Sequence, residues 1–456
     1  MIVTVNPATG RPIAEYPLHS SADVEKRIAG AYDAQKSWGK KPVAERVTLL
    51  NSVAEVLRCN KARYAATITK EMGKPVAEAE AEIEKCAVTC EFYAENAGKF
   101  LDDTQVPSNA TDSRIVYDPL GVVLAIMPWN YPFWQFIRFA APALAAGNGA
   151  LLKHANNVAA CAIQLEELFR EAGTPEGLVS TLLINSSDVA GVLADERVAA
   201  VTLTGSTEVG KIVASQAASL MKKQVLELGG SDPFLVLADA DVELAAKMAV
   251  KARFSNTGQS CISSKRFIVD ATVADKFVEL FVAGVKQLKT GSPIDRNNTI
   301  GPMARENLRD ALHTQVERSV QEGATLVTGG RAVDSEGYYY LPTVLDNVTT
   351  QMTAAIEETF GPVAAIIRVQ SEEEAIAVAN NTEFGLGAAV WTNDVENGYR
   401  VARRIEAGAV FVNGLVASDP RLPFGGIKQS GYGRELGELG IREFTNVKTV
   451  WIGPAK

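Results

Sequence analysis

The sequence predicts an α/β protein with two parallel-sheet domains in tandem, and three observations carry that expectation. From residue 122 onward, short β-branched or aliphatic runs alternate with alanine-rich helical stretches, the pattern of βαβ units. The alternation comes as two series, one ending near Leu228 and the next beginning near Pro233. At 456 residues the chain is also too long for one hydrophobic core.

Taken in order, Ser20 and Ser21 precede apolar positions at Val24, Ile28, Ala31 and Trp38, with Gly39 beyond them. That predicts an N-capped amphipathic helix. Further helices are expected over about 44–71 and 75–99. The first series places strands at Val122–Ile126, Ala150–Lys153, Leu182–Ile184, Val198–Leu203 and Gln224–Leu228, with helices over 158–172 and 208–220. The second places them at Phe234–Leu237, Arg266–Val269, Ala364–Ile367, Ala388–Trp391 and Ala409–Asn413. Ser113–Tyr117 and Thr445–Ile452 also read as strands but fit neither domain, so they are candidates for a small accessory sheet.

A hydrophobic fraction of 47% and a charged fraction of 22% are those of a soluble globular protein. Net charge is −9, from 45 basic and 54 acidic residues, which argues against nucleic acid as a partner. Gly, Pro or charge interrupts the apolar runs well short of membrane-spanning length, and the N-terminus lacks the pattern of a secretory signal. The five cysteines are an odd, sparse set, as expected of reduced thiols in a cytoplasmic protein. Cys86 and Cys90, four apart in a helical stretch, invite a metal reading. None of the three histidines is near them in sequence, so they are read as two small side chains on one helix face, and no metal is expected.

Four motifs carry chemistry. In Asn256-Thr257-Gly258-Gln259-Ser260-Cys261 the cysteine sits on a polar, glycine-containing loop. It reads either as a buried small hydrophobe or as a reachable nucleophile. Val225-Leu226-Glu227-Leu228-Gly229-Gly230 sets a carboxylate at the end of an apolar strand. Desolvation there would raise its pKa and suit it as a general base, although it could equally be a surface glutamate. Thr204-Gly205-Ser206-Thr207 carries a strand into a helix, an arrangement able to hold phosphate. In Met127-Pro128-Trp129-Asn130-Tyr131-Pro132 two prolines stiffen a loop bearing Asn130, either an oxyanion donor or a turn asparagine.

These four occur in order, followed by Glu357-Glu358-Thr359-Phe360-Gly361-Pro362 and Pro423-Phe424-Gly425-Gly426-Ile427-Lys428-Gln429-Ser430-Gly431. The series closely resembles the aldehyde dehydrogenase superfamily, from about Asn6 to Trp451. The resemblance implies a Rossmann-like cofactor domain (1–100 and 120–229), a catalytic α/β domain (230–429) and a small oligomerisation sheet (101–119 and 445–454). It further implies Cys261 as nucleophile, Glu227 as general base, and Asn130 with the Cys261 N–H as oxyanion donors. Thiolate attack, hydride transfer to nicotinamide and hydrolysis of a thioester would follow in that order. Glu358 and Phe360 match the nicotinamide contacts, Lys153 the adenosine ribose contact and Ser206 the pyrophosphate contact. Ile126, Trp129, Gly205 and Leu228 fall in the same cofactor-binding segments.

Relatives that prefer NAD usually carry a glutamate three residues beyond the lysine. Here the stretch is Lys153-His154-Ala155-Asn156, so Asn156 puts no fixed negative charge against a 2′-phosphate, and NADP is the expected cofactor, with NAD the alternative.

Arg138, eight residues past Asn130, resembles the arginine with which succinate semialdehyde dehydrogenases clamp the distal carboxylate. Some of those enzymes have a second arginine where this chain has Ser255. Trp134 and Ser418 are the remaining substrate candidates, and a structural ion pair is the alternative for Arg138. Replacing Arg138 by Ala is expected to hurt succinate semialdehyde far more than an uncharged aldehyde. Ser263 stands where some relatives carry a second cysteine, so no disulfide switch is expected beside Cys261.

The expected activity is NAD(P)-dependent oxidation of succinate semialdehyde by a homodimer or homotetramer, without nucleic acid or membrane as partner. The alternatives are another small aldehyde, a CoA-acylating reaction that added CoA would reveal, or a non-catalytic binding role that a burst of reduced cofactor would exclude.

Overall fold

The computed structural model describes residues 1–454. A six-stranded sheet runs in the order Gly431–Tyr432, Lys223–Glu227, Val198–Thr204, Val122–Met127, Gly149–His154, Val179–Thr181. All its neighbours are parallel except Gly431–Tyr432, which pairs antiparallel to Lys223–Glu227. The run Val122–Met127 is almost wholly buried because helices cover both faces, as continuous apolar strands of parallel sheets require. A seven-stranded sheet runs Thr325–Thr328, Thr343–Asp346, Val363–Val369, Arg266–Asp270, Pro233–Val236, Gly387–Trp391, Ala409–Val412. Its only antiparallel pairing is the outermost, between Thr325–Thr328 and Thr343–Asp346.

Thr104–Gln105, Asp112–Pro119 and Thr445–Ile452 form a separate three-stranded sheet. The last two strands pair over their full length, from Thr445 opposite Pro119 to Ile452 opposite Asp112. The two strand segments that fitted neither domain are therefore partners of each other.

The expected helix over Ser21–Trp38 forms with a capping box, in which the Ser20 hydroxyl accepts from the Asp23 N–H and the Asp23 carboxylate accepts from the Ser20 N–H. The helical stretch expected over 44–71 is two helices, Val43–Cys59 and Lys61–Met72, broken at Asn60. The strand expected at Leu182–Ile184 is displaced to Val179–Thr181. Leu182 still donates to the Leu152 carbonyl at 2.7 Å, and the backbone then leaves the sheet while Leu182 and Ile184 stay buried. Their apolar run thus reports core packing rather than pairing. Among the elements that the sequence reading passed over are the N-terminal hairpin Ile2–Asn6/Arg11–Tyr16 and the strand pair Thr325–Thr328/Thr343–Asp346.

Two helices matter most for the site. Val76–Leu101 packs on Val43–Cys59 and on Trp134–Ala145, and every residue of Trp134–Ala145 is buried. Cys86 and Cys90 lie inside the first of these, and burial pushes both thiols up.

Candidate active site

Strands Val122–Met127, Val198–Thr204 and Lys223–Glu227 run parallel, so their carboxyl ends open on one edge of the six-stranded sheet. Crevices at such edges are the usual ligand sites of parallel sheets. Here the edge borders a cleft of about 240 Å³ lined by Pro128, Trp129, Asn130, Gln135, Thr204, Gly205, Ser206, Leu228, Gly229, Cys261, Arg305, Leu308, Glu358 and Phe360. Residues from five separated motifs meet there. Gln135, Thr204, Arg305 and Leu308 were not singled out from the sequence.

The Cys261 loop is held tightly. It follows helix Val242–Phe254 through Asn256 and Thr257, both left-handed at φ 54° and 55°. Two consecutive non-glycine residues there are strained and persist only where surroundings fix them. Asn256 Nδ2 donates to the carbonyls of Asn130 (3.0 Å) and Gln259 (3.1 Å), and its N–H donates to Glu78 Oε2 (2.8 Å). Thr257 Oγ1 accepts from the Gly301 N–H at 3.1 Å, and Gln259 Oε1 from the Ala304 N–H at 2.9 Å. Gly258 must be glycine, because a Cβ there would meet the Gly361 carbonyl oxygen at 2.4 Å and φ is +69°.

Beneath the loop, the buried ammonium of Lys265 donates to the carbonyls of Ser260 (3.0 Å), Cys261 (2.8 Å) and Ser263 (3.2 Å). It also lies 3.6 Å from Glu358 Oε1, which accepts from the Gly230 N–H at 3.1 Å. One lysine therefore ties the Cys261 loop to the glutamate on the opposite side of the cleft, a role no motif announced.

Cys261 is half-buried on the cleft wall. Burial pushes its thiol up to about 12, against the opposing pull of Arg138 and Lys265. The resting group is thus a thiol. Asn130 is buried, and its Nδ2 donates to the Gln259 carbonyl at 3.1 Å. An amide nitrogen carries two protons, so a second donor is left for the cleft.

Glu227 ends its strand with both carboxylate oxygens buried and unpartnered, packed against Gly425. Burial first, and then the charge of Glu435, push it well above the usual carboxylate range. It does not line the cleft, whereas its neighbours Leu228 and Gly229 do.

The cofactor candidates fall into two groups. Ser206 caps helix Thr207–Ser219, accepting from the Val209 N–H at 3.5 Å, with Gly205 and Thr204 beside it on the cleft wall. Trp129 and Phe360 meet edge to face at 5.7 Å, and the Arg305 guanidinium lies 5.9 Å from the Trp129 ring. An aromatic wall, a glutamate and the N-terminus of a helix 13 residues long suit an aromatic ring, a ribose and a phosphate. Lys153 and Asn156 lie outside this cleft and are bonded to each other, Nζ to Oδ1 at 3.2 Å. Ile126 pairs with Lys153 across the sheet.

The substrate candidates are differently engaged from the sequence expectation. Arg138 is buried, with Nε 2.5 Å from Glu435 Oε2, Nη2 donating to Thr204 Oγ1 at 3.3 Å and its guanidinium over the Phe424 ring at 4.8 Å. It does not line the cleft wall. The ion-pair alternative accounts for Nε, Thr204 takes Nη2, and Nη1 makes no hydrogen bond among the described residues. Ser255 Oγ donates to the Lys251 carbonyl at 2.8 Å, closing the preceding helix. Trp134 and Ser418 are buried beside a half-buried residue the sequence reading passed over, Lys85: its ammonium donates to Ser418 Oγ at 2.7 Å and lies 4.0 Å from the Trp134 ring.

Comparison with known proteins agrees with this arrangement over the whole chain. The sequence profile of the aldehyde dehydrogenase family matches residues 1–450. A probable NADP(+) succinate-semialdehyde dehydrogenase of Synechocystis sp. is 49% identical over 99% of both chains. The NAD(P)+ succinate semialdehyde dehydrogenase Sad of Escherichia coli is 46% identical, over 98% of this chain and 97% of its own. Among solved structures, the succinic semialdehyde dehydrogenase of Streptococcus pyogenes with NADP+ superimposes with a TM-score of 0.97 at 38% identity, over 100% of both chains. The chain belongs to the aldehyde dehydrogenase family.

Proposed function

We propose that the protein oxidises succinate semialdehyde to succinate with NADP+, and with NAD+ as the lesser alternative. The observation that carries this reading is the convergence on one cleft of Cys261, Asn130, Ser206, Glu358 and Phe360. The Synechocystis and Escherichia coli relatives, 49% and 46% identical nearly end to end, support the substrate and the cofactor.

Cys261 is the nucleophile, and its thiol must lose a proton before attacking the aldehyde carbon. The free Asn130 N–H, with the backbone N–H of Cys261, stabilises the oxyanion that develops on the aldehyde oxygen. A nicotinamide cofactor would supply the hydride acceptor here. Phe360, Trp129 and Glu358 would hold its nicotinamide end, and the helix N-terminus at Ser206 its pyrophosphate. Glu227, pushed upward by burial, serves as general base for the water that releases the acid. Ile126 and Leu228 line the cofactor path. Lys153 pairs with the 2′-phosphate, and uncharged Asn156 does not repel it.

We also propose the domain division at 229/230, which the passage from one parallel sheet to the next after Lys223–Glu227 supports. We further propose that the three-stranded sheet joins subunits into a homodimer or homotetramer. Val447 and Trp451 are 59% and 53% exposed on one face of its outer strand, an apolar pair suited to a second copy. A reducing, cytoplasmic setting fits five free cysteines, one of them the nucleophile.

The test is a matrix of aldehydes, with and without a terminal carboxylate, against both cofactors. Highest kcat/KM with succinate semialdehyde and NADP+ is expected. A kcat/KM for NAD+ tenfold or more above that for NADP+ would reject the cofactor assignment, and CoA-dependent turnover would reject release to water.

A further inference from the structure

Helix Val76–Leu101 carries a glutamate at every second position from Glu78 to Glu84. The fold divides them by the side of the helix on which they stand. Glu80 pairs with Arg296, and Glu84 with Arg58 and Lys61, all cations of the outer surface. Glu78 and Glu82 are four apart and share the opposite side, which faces the cleft loops. Glu78 is half-buried, and its Oε2 accepts from the Asn256 N–H at 2.8 Å. Glu82 is buried, and its Oε1 accepts from the N–H groups of Phe133 and Trp134 at 2.9 and 3.0 Å. The first bond holds the loop that bears Cys261, and the second the loop that bears Asn130.

Each grip is reinforced. The other oxygen of Glu82 pairs with the buried ammonium of Lys74, which lies 3.7 Å from the centroid of the Tyr131 ring. Glu82 and Lys74 therefore hold the Asn130 loop on both sides of Pro132, by the ring before it and the N–H groups after it. On the other loop, the anchored Asn256 is one of the two left-handed residues, a conformation that lasts only where surroundings impose it. Its side chain then bridges to the Asn130 carbonyl at 3.0 Å, while Asn130 Nδ2 reaches back to the Gln259 carbonyl at 3.1 Å. Both loops are thus fastened to one rigid helix, at points about 6 Å apart along its axis.

We infer that Glu78 and Glu82 are positioning residues that together set the distance between the Cys261 nucleophile and the Asn130 oxyanion donor. Neither lines the cleft, so each acts through the loop it holds. A donor stabilises an oxyanion only when it is placed to within a few tenths of an ångström, which two independently mobile loops would not achieve. This deepens the reading above and rests on its assignment of Cys261 and Asn130.

The experiment places Glu78→Ala, Glu78→Gln and Glu82→Ala in the parent enzyme and in Asn130→Ala. The burst of reduced cofactor is followed at saturating succinate semialdehyde, and at saturating butanal as the uncharged aldehyde of equal carbon length. Alkylation of Cys261 by iodoacetamide, read on its peptide by mass, reports the thiol without any oxyanion. Misplacement of this kind corresponds to about 10- to 100-fold in rate. That loss is expected in the burst rate of both alanine variants, equally for the two aldehydes, with half-saturation and alkylation close to parental. Glu78→Gln keeps an oxygen for the Asn256 N–H and is expected to recover most of the loss. In Asn130→Ala the donor is already gone, so either alanine variant should cost less than about threefold more. A full further loss there, a tenfold change in alkylation, or a parental burst rate in Glu78→Ala would overturn the inference and leave Cys261 and Asn130 in their roles. A parental burst rate in Asn130→Ala itself would overturn both. Should Glu82→Ala, which strands the buried Lys74, fail to fold, the half-buried Glu78 and its two variants decide the question by the same outcomes.

Discussion

Replacing Arg138 by Met tests the electrostatic core of the site. In the intact protein the guanidinium lies 2.5 Å from Glu435, and Glu227 is close enough to feel both charges. Both carboxyls are raised by burial, with Arg138 holding each of them down. Methionine fills the volume but removes the counter-charge, so Glu435 keeps a proton in the fold that it releases when unfolded. Holding that proton against an unfolded pKa of about 4.3 costs ~1.4 kcal/mol per pH unit, or ~2.3 kcal/mol at pH 6 and ~4.4 kcal/mol at pH 7.5. The second value falls in the range of about 3–5 kcal/mol for breaking a buried ion pair. The sign is fixed, because a raised acid binds its proton in the folded state and stability is then lost as pH rises above about 4.3. Thermal unfolding of variant and parent at both pH values is the assay. Because Glu435 is already raised in the parent, which loses part of the same stability, the gap should widen from pH 6 to pH 7.5 by at most ~2 kcal/mol, no more than about 4–8 °C in Tm for a domain of this size. Activity should fall to a similar extent on succinate semialdehyde and on butanal. An unchanged Tm with loss confined to succinate semialdehyde would refute this reasoning and restore Arg138 as the substrate clamp.

Four further outcomes follow from the same geometry. Lys265→Met leaves three loop carbonyls without their donor and should lower kcat by about 100-fold through misplacement of Cys261, with folding weakened by ~2–4 kcal/mol; unaltered kcat would remove Lys265 from the account. Because Glu227 is raised and Cys261 is pushed up to about 12, both must lose protons to work, so kcat/KM should climb from pH 6 to pH 9; a flat profile would contradict the two shifts. Glu227→Gln should leave a rapid burst of reduced cofactor and abolish steady turnover, and steady turnover at the parental rate would assign the base elsewhere. Asn156→Glu places a fixed negative charge near Lys153 and should lower kcat/KM for NADP+ about 5- to 30-fold while sparing NAD+; an equal effect on both cofactors would point to loop damage instead.

The parts of the site legible in the sequence are those whose chemistry is local. The Cys261 loop, the Pro128–Pro132 loop and the Ser206 turn each join a regular element to the cleft within a few residues, so composition and position were enough to mark them. The elements were legible for the same reason wherever burial and pairing coincide, as in Val122–Met127, and misplaced where they part, as at Leu182–Ile184. Charge pairing across the fold left no such mark. Arg138 and Glu435 are almost three hundred positions apart, and nothing near either names the other. Lys85 sits in a helix rich in glutamate, which suggests a solvated face; only the packing shows that its neighbours are Trp134 and Ser418 rather than those acids. Which lysine or arginine the fold leaves without a carboxylate is decided only when every other charge has found its own.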